Sequence, residues 1–155
     1  GVLINNAGIY ASAPAQDADI EAFERVIDVN VKALMRLTRL ALPHILESPH
    51  GAVINIASIA GKGSFPGGGA YCASKHAVVG FTGSLYEDVR RHGVKVCAIC
   101  PGFVNTSMVN TRPGLNPATM IQPADIAEAA HLVVAFPDTA CPTEIIIRPQ
   151  RSPYL

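Results

Sequence analysis

Apolar runs of strand length alternate with stretches of helical periodicity along this chain. Gly1 to Ile4 is a short apolar run closed by Asn5-Asn6-Ala7-Gly8. A run ended in this way predicts a buried parallel strand whose carboxyl end meets a ligand. Asn5 and Asn6 could bond that ligand or tie down the turn. After a loop containing Pro14, Asp17 and Asp19 are candidate caps. Ile20, Phe23, Val26, Ile27, Leu34, Leu37, Leu40, Ala41 and Ile45 then keep helical spacing. The prediction is a helix from about Asp19 to about Glu47, disturbed at Asn30 and kinked at Pro43. Ala52 to Ala57 is a second strand and delivers Ser58. A glycine-rich loop leads to a helix from about Ala70 to Arg91, stopped by Gly93. Its Ala73, Ala77, Gly80 and Ser84 form a small-residue stripe, suited to an oligomer seam or to close packing on a sheet. Val94 to Cys100 is a third strand ending in Pro101-Gly102. Phe103 to Gln122 is a long Asn/Thr/Pro/Gly-rich connection of the kind that forms lids. Pro123 opens a last helix running to about Phe136, and Thr143 to Ile147 is a last strand. Strands alternating with helices predict an α/β fold, a parallel sheet with helices on both faces. Residues 148–155 read as a tail with little to pack.

Composition narrows the function classes. The 155 residues are 49% apolar and 15% charged, with zero formal net charge, so no nucleic-acid partner or polybasic membrane surface is indicated. No apolar run approaches the roughly 18 residues of a membrane span. The chain opens on G-V-L-I-N-N, without a charged leader or initiator Met, which reads as a fragment starting inside a strand. Cys97 and Cys100 form a C-x-x-C within an apolar strand, where positions i and i+3 face opposite sides. No second pair completes a metal site. Buried, reduced thiols are expected, which suit a cytoplasmic location. The five histidines form no ligand-spaced group and are expected at the surface or at caps.

Candidate chemistry concentrates in Ser58 to Lys75, S-I-A-G-K-G-S-F-P-G-G-G-A-Y-C-A-S-K. Tyr71 and Lys75 are one helical turn apart and share a face. A tyrosine with its ordinary pKa of about 10 is a poor base at neutral pH, and a neighbouring cation favours its phenolate. Ser58, brought in by the loop, could hold a carbonyl oxygen. The glycines fit neither phosphate pattern: Ile56 and Gly63 break the Walker spacing, and Pro66 and Cys72 break G-x-G-x-x-G. Asn30, polar within D-V-N-V-K-A-L, is either a satisfied core amide or a functional group beside Tyr71.

N-N-A-G at Asn5 to Gly8, Asn30, Ser58, Y-x-x-x-K at Tyr71 and Lys75, and P-G-F-V-N-T at Pro101 to Thr106 stand in this order. Together they resemble the short-chain dehydrogenase/reductase family, over Gly1 to about Ile147. The resemblance implies a Rossmann-type domain over 1–147 and hydride transfer between NAD or NADP and a carbonyl or secondary alcohol, a small-molecule substrate. It implies Tyr71 as general acid/base, and Lys75 as the group that lowers its pKa and bonds the nicotinamide ribose. Ser58 would orient the substrate oxygen, and Asn30 would hold a water linking Lys75 to solvent. Asn5, Ala7 and Gly8 would line the cofactor cleft with Pro101, Gly102, Val104 and Thr106. Residues 107–122 would form the substrate lid, in which Met108, Asn110, Arg112, Leu115, Met120 and Gln122 mix polar and apolar character and fit many carbonyl compounds. A homodimer or homotetramer is implied for the full-length protein.

The family's first strand, glycine-rich turn and helix have no match here, and neither has the residue that separates NAD from NADP. The expected architecture is therefore the C-terminal part of a Rossmann sheet, about four strands, with Gly1 to Ile4 as an exposed apolar edge. R-P-Q-R-S-P-Y stands where the family often has D-G-G. Such a fragment is expected to be inactive alone. The alternatives are a non-catalytic truncated member acting by association, and an epimerase or dehydratase on the same scaffold.

Overall fold

Val53, Ile54, Val96 and Ile99 have no solvent exposure at all, and they fix the centre of the sheet. Burying an aliphatic side chain of this size is worth about 2 kcal/mol. The computed structural model describes residues 1–109 and 113–154. Among these, β1 (Val2–Asn5), β2 (Ala52–Ile56), β3 (Lys95–Pro101) and β4 (Glu144–Ile147) form one sheet in the order β1-β2-β3-β4. Every pairing is parallel, with Ile54 opposite Cys97 and Cys100 opposite Ile146. The fold is the expected α/β sheet of Rossmann type.

The helices are α1 (Ile20–Ile27), α2 (Leu34–Leu46), α3 (Gly69–Val89) and α4 (Pro123–Ala135). One face of the sheet packs Val53, Val96, Ala98 and Cys100 against Leu34, Ile45, Val78 and Leu85 of α2 and α3. The other packs Ile54, Cys97 and Ile99 against Ala130 and Val133 of α4. Cys97 and Cys100 thus face opposite sides, as strand alternation requires. All four cysteines are free, and burial pushes the Cys97 thiol up to about 12. β1 is an edge of the described sheet, with Val2 and Ile4 each 48% exposed.

Several local expectations are refined. The single helix expected between Asp19 and Glu47 is α1 and α2 joined by a π-helical segment, Asp28–Ala33, which contains Asn30. Asp19 caps α1, its carboxylate accepting the Glu21 N–H at 3.1 Å, whereas Asp17 lies in a 3-10 turn. α2 continues through Pro43 to Leu46. Gly93 stops the chain after α3 in the left-handed region, φ 73°. The stripe Ala73, Ala77, Gly80 and Ser84 is exposed, so it does not pack on the sheet. The tail packs more than its composition predicts. Tyr154 stacks edge-on to Phe103 with ring centroids 5.6 Å apart, and the Pro153 carbonyl accepts the Asn116 N–H at 2.8 Å. Long-range contacts of this kind leave no periodic trace in sequence.

Candidate active site

The carboxyl ends of β1, β2 and β3 open into one cavity of about 660 Å³. Ala7, Gly8, Ser58, Tyr71, Lys75, Pro101, Gly102, Val104 and Thr106 all line it, so most of the expected site residues converge. A second cavity of about 610 Å³ adjoins it and shares Ser58, Tyr71, Gly102, Met108 and Val109. Ser58 and Tyr71 therefore stand where two chambers meet, with Lys75 in the first.

Ser58 ends the run after β2 and caps the 3-10 turn Ile59–Gly61, its Oγ accepting the Ala60 N–H at 3.1 Å. Its own proton reaches the Pro101 carbonyl only at 3.5 Å, the outer limit of a hydrogen bond. A hydroxyl held so loosely can turn to a ligand oxygen. The turn has to come close to α3: a Cβ on Gly61 would lie 2.7 Å from the Lys75 carbonyl oxygen. Glycine at position 61 is what lets the serine loop and the Tyr/Lys helix approach.

On α3, the Lys75 ammonium lies 5.7 Å from the centroid of the Tyr71 ring, within cation–π range. It donates to the Ile56 carbonyl at 2.9 Å. Burial pushes Lys75 down from 10.5 to about 8, with the neighbouring Cys100 opposing. It is still an ammonium at neutral pH. Tyr71 also meets Tyr10 edge-on, ring centroids 5.1 Å apart.

Asn30 is 1% exposed. Its Oδ1 accepts the Ile9 N–H at 2.8 Å, and its Nδ2 donates to the Ile9 carbonyl at 2.9 Å and to Ser74 Oγ at 3.1 Å. It is thus a satisfied buried amide that clamps the loop after β1 onto α3. It also borders the site. A Cβ on Gly8 would sit 3.4 Å from Asn30 Oδ1 and 3.6 Å from Lys75 Nζ.

Asn5 behaves differently from its neighbour. Its Nδ2 donates to Thr38 Oγ1 at 3.0 Å and to Asn55 Oδ1 at 2.8 Å, and Asn55 donates in turn to Thr82 Oγ1 at 2.9 Å. The Asn5 side chain belongs to this buried network and does not line the cavity, whereas Asn6 does. Of the lid residues, Met108 lines both chambers. Met120 is buried and, with Leu115 and Gln122, lies outside both linings; Asn110 and Arg112 fall outside the described residues. Sequence reasoning missed Tyr10, Asn55 and Ser74, and left Asn6 open between ligand and turn. Asn6 stands inside the quoted N-N-A-G and Tyr10 two residues after it, and strand alternation separates Asn5 from Asn6 once the pleat is known.

A short chain dehydrogenase family profile matches residues 1–114. An uncharacterized oxidoreductase of Staphylococcus saprophyticus is 36% identical over 149 residues, 96% of this chain and 63% of that protein. Sulfoacetaldehyde reductase 2 of Chromohalobacter salexigens is 33% identical over 163 residues, 98% of this chain and 65% of the relative. The chain therefore belongs to the short-chain dehydrogenase family, and it spans less than two thirds of the length of these two relatives. Among solved structures, a closed form of serine dehydrogenase complexed with NADP+ superposes with TM-score 0.83 at 33% identity, covering 94% of this chain and 63% of its own. A 4-hydroxyisoleucine dehydrogenase complexed with NADH gives TM-score 0.82 at 29% identity, covering 96% and 67%.

Proposed function

We propose that this chain carries the catalytic part of an NAD(P)-dependent oxidoreductase that interconverts a carbonyl compound and a secondary alcohol. The observation that carries the reading is the placement of Tyr71 and Ser58 at the junction of two chambers, with the buried Lys75 ammonium beside the Tyr71 ring. The first chamber fits the nicotinamide–ribose end of the cofactor. Its walls are largely apolar, Lys75 supplies the one charge among the lining residues, and the Pro101-Gly102 strand end brings backbone close. Ala7, Gly8, Val104 and Thr106 would complete that wall. When bound, the nicotinamide gives or accepts the hydride.

The chain's own residues handle the proton and the oxygen. Ser58 Oγ–H turns from its long contact with Pro101 to the substrate oxygen and polarises it. Tyr71 Oη gives a proton to that oxygen in reduction and takes it in oxidation. The Lys75 ammonium favours the tyrosinate by its charge and bonds the ribose. Gly8 lets Asn30 Oδ1 and Lys75 Nζ border one position that a Cβ would fill, and a water there would link the lysine to solvent.

The exposed small-residue stripe of α3 supports a homodimer or homotetramer of the full-length protein, and the free thiols support a cytoplasmic site. The test is Tyr71→Phe in this chain extended upstream by the amino-terminal half of a relative. Loss of NAD(P)H-dependent turnover by about a hundredfold or more, with unchanged folding, is expected. Unchanged turnover removes Tyr71 from the chemistry.

A further inference from the structure

We infer that the second chamber is built for a substrate with an anionic end, such as a carboxylate, sulfonate or phosphate, and that Arg148 is the residue that reads it. The inference names the substrate class of the reaction proposed above and rests on that reading.

Five aromatic residues line this chamber: Tyr10, Phe65, Tyr71, Phe103 and Tyr154. The whole chain has four tyrosines and five phenylalanines, so more than half of its aromatic rings gather here. A chamber with such walls would suit an apolar ligand, but its charge is one-sided. Lys62 and Arg148 line it, and no Asp or Glu does. The two cations differ. Lys62 is engaged, its Nζ 3.0 Å from Glu144 Oε2. Arg148 has no ion pair and no side-chain hydrogen bond among the described residues. It follows directly on Ile147, the last residue of β4, at the carboxyl edge of the sheet where ligands of α/β folds bind. Ser58 and Tyr71 line the same chamber. A substrate whose oxygen is held by Ser58 and Tyr71 thus has a guanidinium available to its far end. Guanidinium groups grip carboxylate, sulfonate and phosphate oxygens in pairs, and low-dielectric walls around a cleft of one charge sign focus that attraction.

Binding can be followed without cofactor or turnover. Backbone amide NMR of the 155-residue chain is titrated with pyruvate and with methyl pyruvate, which keeps the ketone and removes the charge. Wild type is expected to bind pyruvate roughly tenfold more tightly than the ester, with shifts at Gly102 and Ile146. Arg148→Gln, an exposed substitution whose folding the same spectra report, is expected to abolish that preference. Glu144→Gln releases Lys62 and is expected to tighten pyruvate severalfold while leaving the ester unchanged. Equal binding of the two compounds by wild type, a preference that survives Arg148→Gln, or no shifts from either compound overturns the inference. Turnover of neutral ketones in preference to anionic ones by the chain extended upstream with a relative's amino-terminal half removes the inference and leaves the oxidoreductase. Arg148-dependent pyruvate binding without turnover of any ketone removes the oxidoreductase and leaves an anion site.

Discussion

Lys75 donates its ammonium to the backbone carbonyl of Ile56 at 2.9 Å, so the charge at the centre of the site hangs from the strand that delivers Ser58. Burial disfavours that charge and pushes Lys75 from 10.5 to about 8. Between those two values the unfolded chain holds a proton that the folded one has released. Stability therefore rises with pH across the window, is highest above 10.5 and is lost as pH falls through about 8. The full effect is roughly 3 kcal/mol. Urea unfolding of wild type and Lys75→Met, followed from neutral pH to about 10, should show wild type gaining on the variant. Parallel curves would mean that the lysine titrates as it does in water.

The space at Gly8 gives a second expectation. Alanine fits there sterically, at 3.4 Å from Asn30 Oδ1 and 3.6 Å from Lys75 Nζ, and Gly8 has no positive φ to lose. Gly8→Ala should fold with a stability within about 1 kcal/mol of wild type. Its methyl would displace the proposed water and desolvate the ammonium further. In the chain extended upstream by a relative's amino-terminal half, kcat should fall ten- to a hundredfold, on the order of one general acid–base contribution. The lysine-linked limb of the pH–rate profile should move to lower pH. Wild-type kcat with an unmoved profile would take Gly8 out of the relay.

The buried amide network predicts non-additivity. Asn55 is 0% exposed, accepts from Asn5 and donates to Thr82, which itself donates to the Val78 carbonyl at 2.6 Å. Asn55→Ala strands partners on two elements and should cost about 2–4 kcal/mol. Asn5→Ala removes one link of the same network. Denaturation of both single variants and the double variant should give a coupling of about 1 kcal/mol or more. Simple addition would show that each amide is satisfied independently.

That network also marks where sequence reading stops. β2 and β3 were legible because both faces are buried and their runs are almost continuously apolar. Ser58, Tyr71 and Lys75 were legible because one loop and one helical turn suffice to relate them. The family resemblance puts Asn5 in the cleft, and adjacent amides look equivalent in sequence until the pleat sends one inward. The partners of Asn55 and of Tyr154 come from distant segments, so no local spacing announces them. The π-helical segment at Asn30 has the same apolar rhythm as the helices around it, so only the polar residue betrayed it. The aromatic chamber with Arg148 was invisible for the same reason: its walls come from six stretches of chain.

The last prediction concerns the cofactor itself. A dinucleotide needs a grip on its pyrophosphate, ordinarily a glycine-rich turn opening a helix whose N-terminal amides point at the phosphates. The sequence of this chain contains no such turn. α3 borders the first chamber in its first turn at Tyr71, and α4 borders it with its N-terminus at Pro123. The first turn of α4 is occupied by a capping box in which Asp125 Oδ2 accepts the Gln122 N–H at 2.8 Å, and that carboxylate repels phosphate. Lys75 is the single cation among the residues lining the chamber, and Ile56 already engages it. The nicotinamide end alone offers too little contact for tight binding. Isothermal titration of NADH and NADPH into the 155-residue chain should therefore show affinity weaker than about millimolar, on the order of −4 kcal/mol. Nicotinamide mononucleotide should bind about as well as the whole dinucleotide. Micromolar binding of either dinucleotide would mean that a phosphate grip exists within these residues after all.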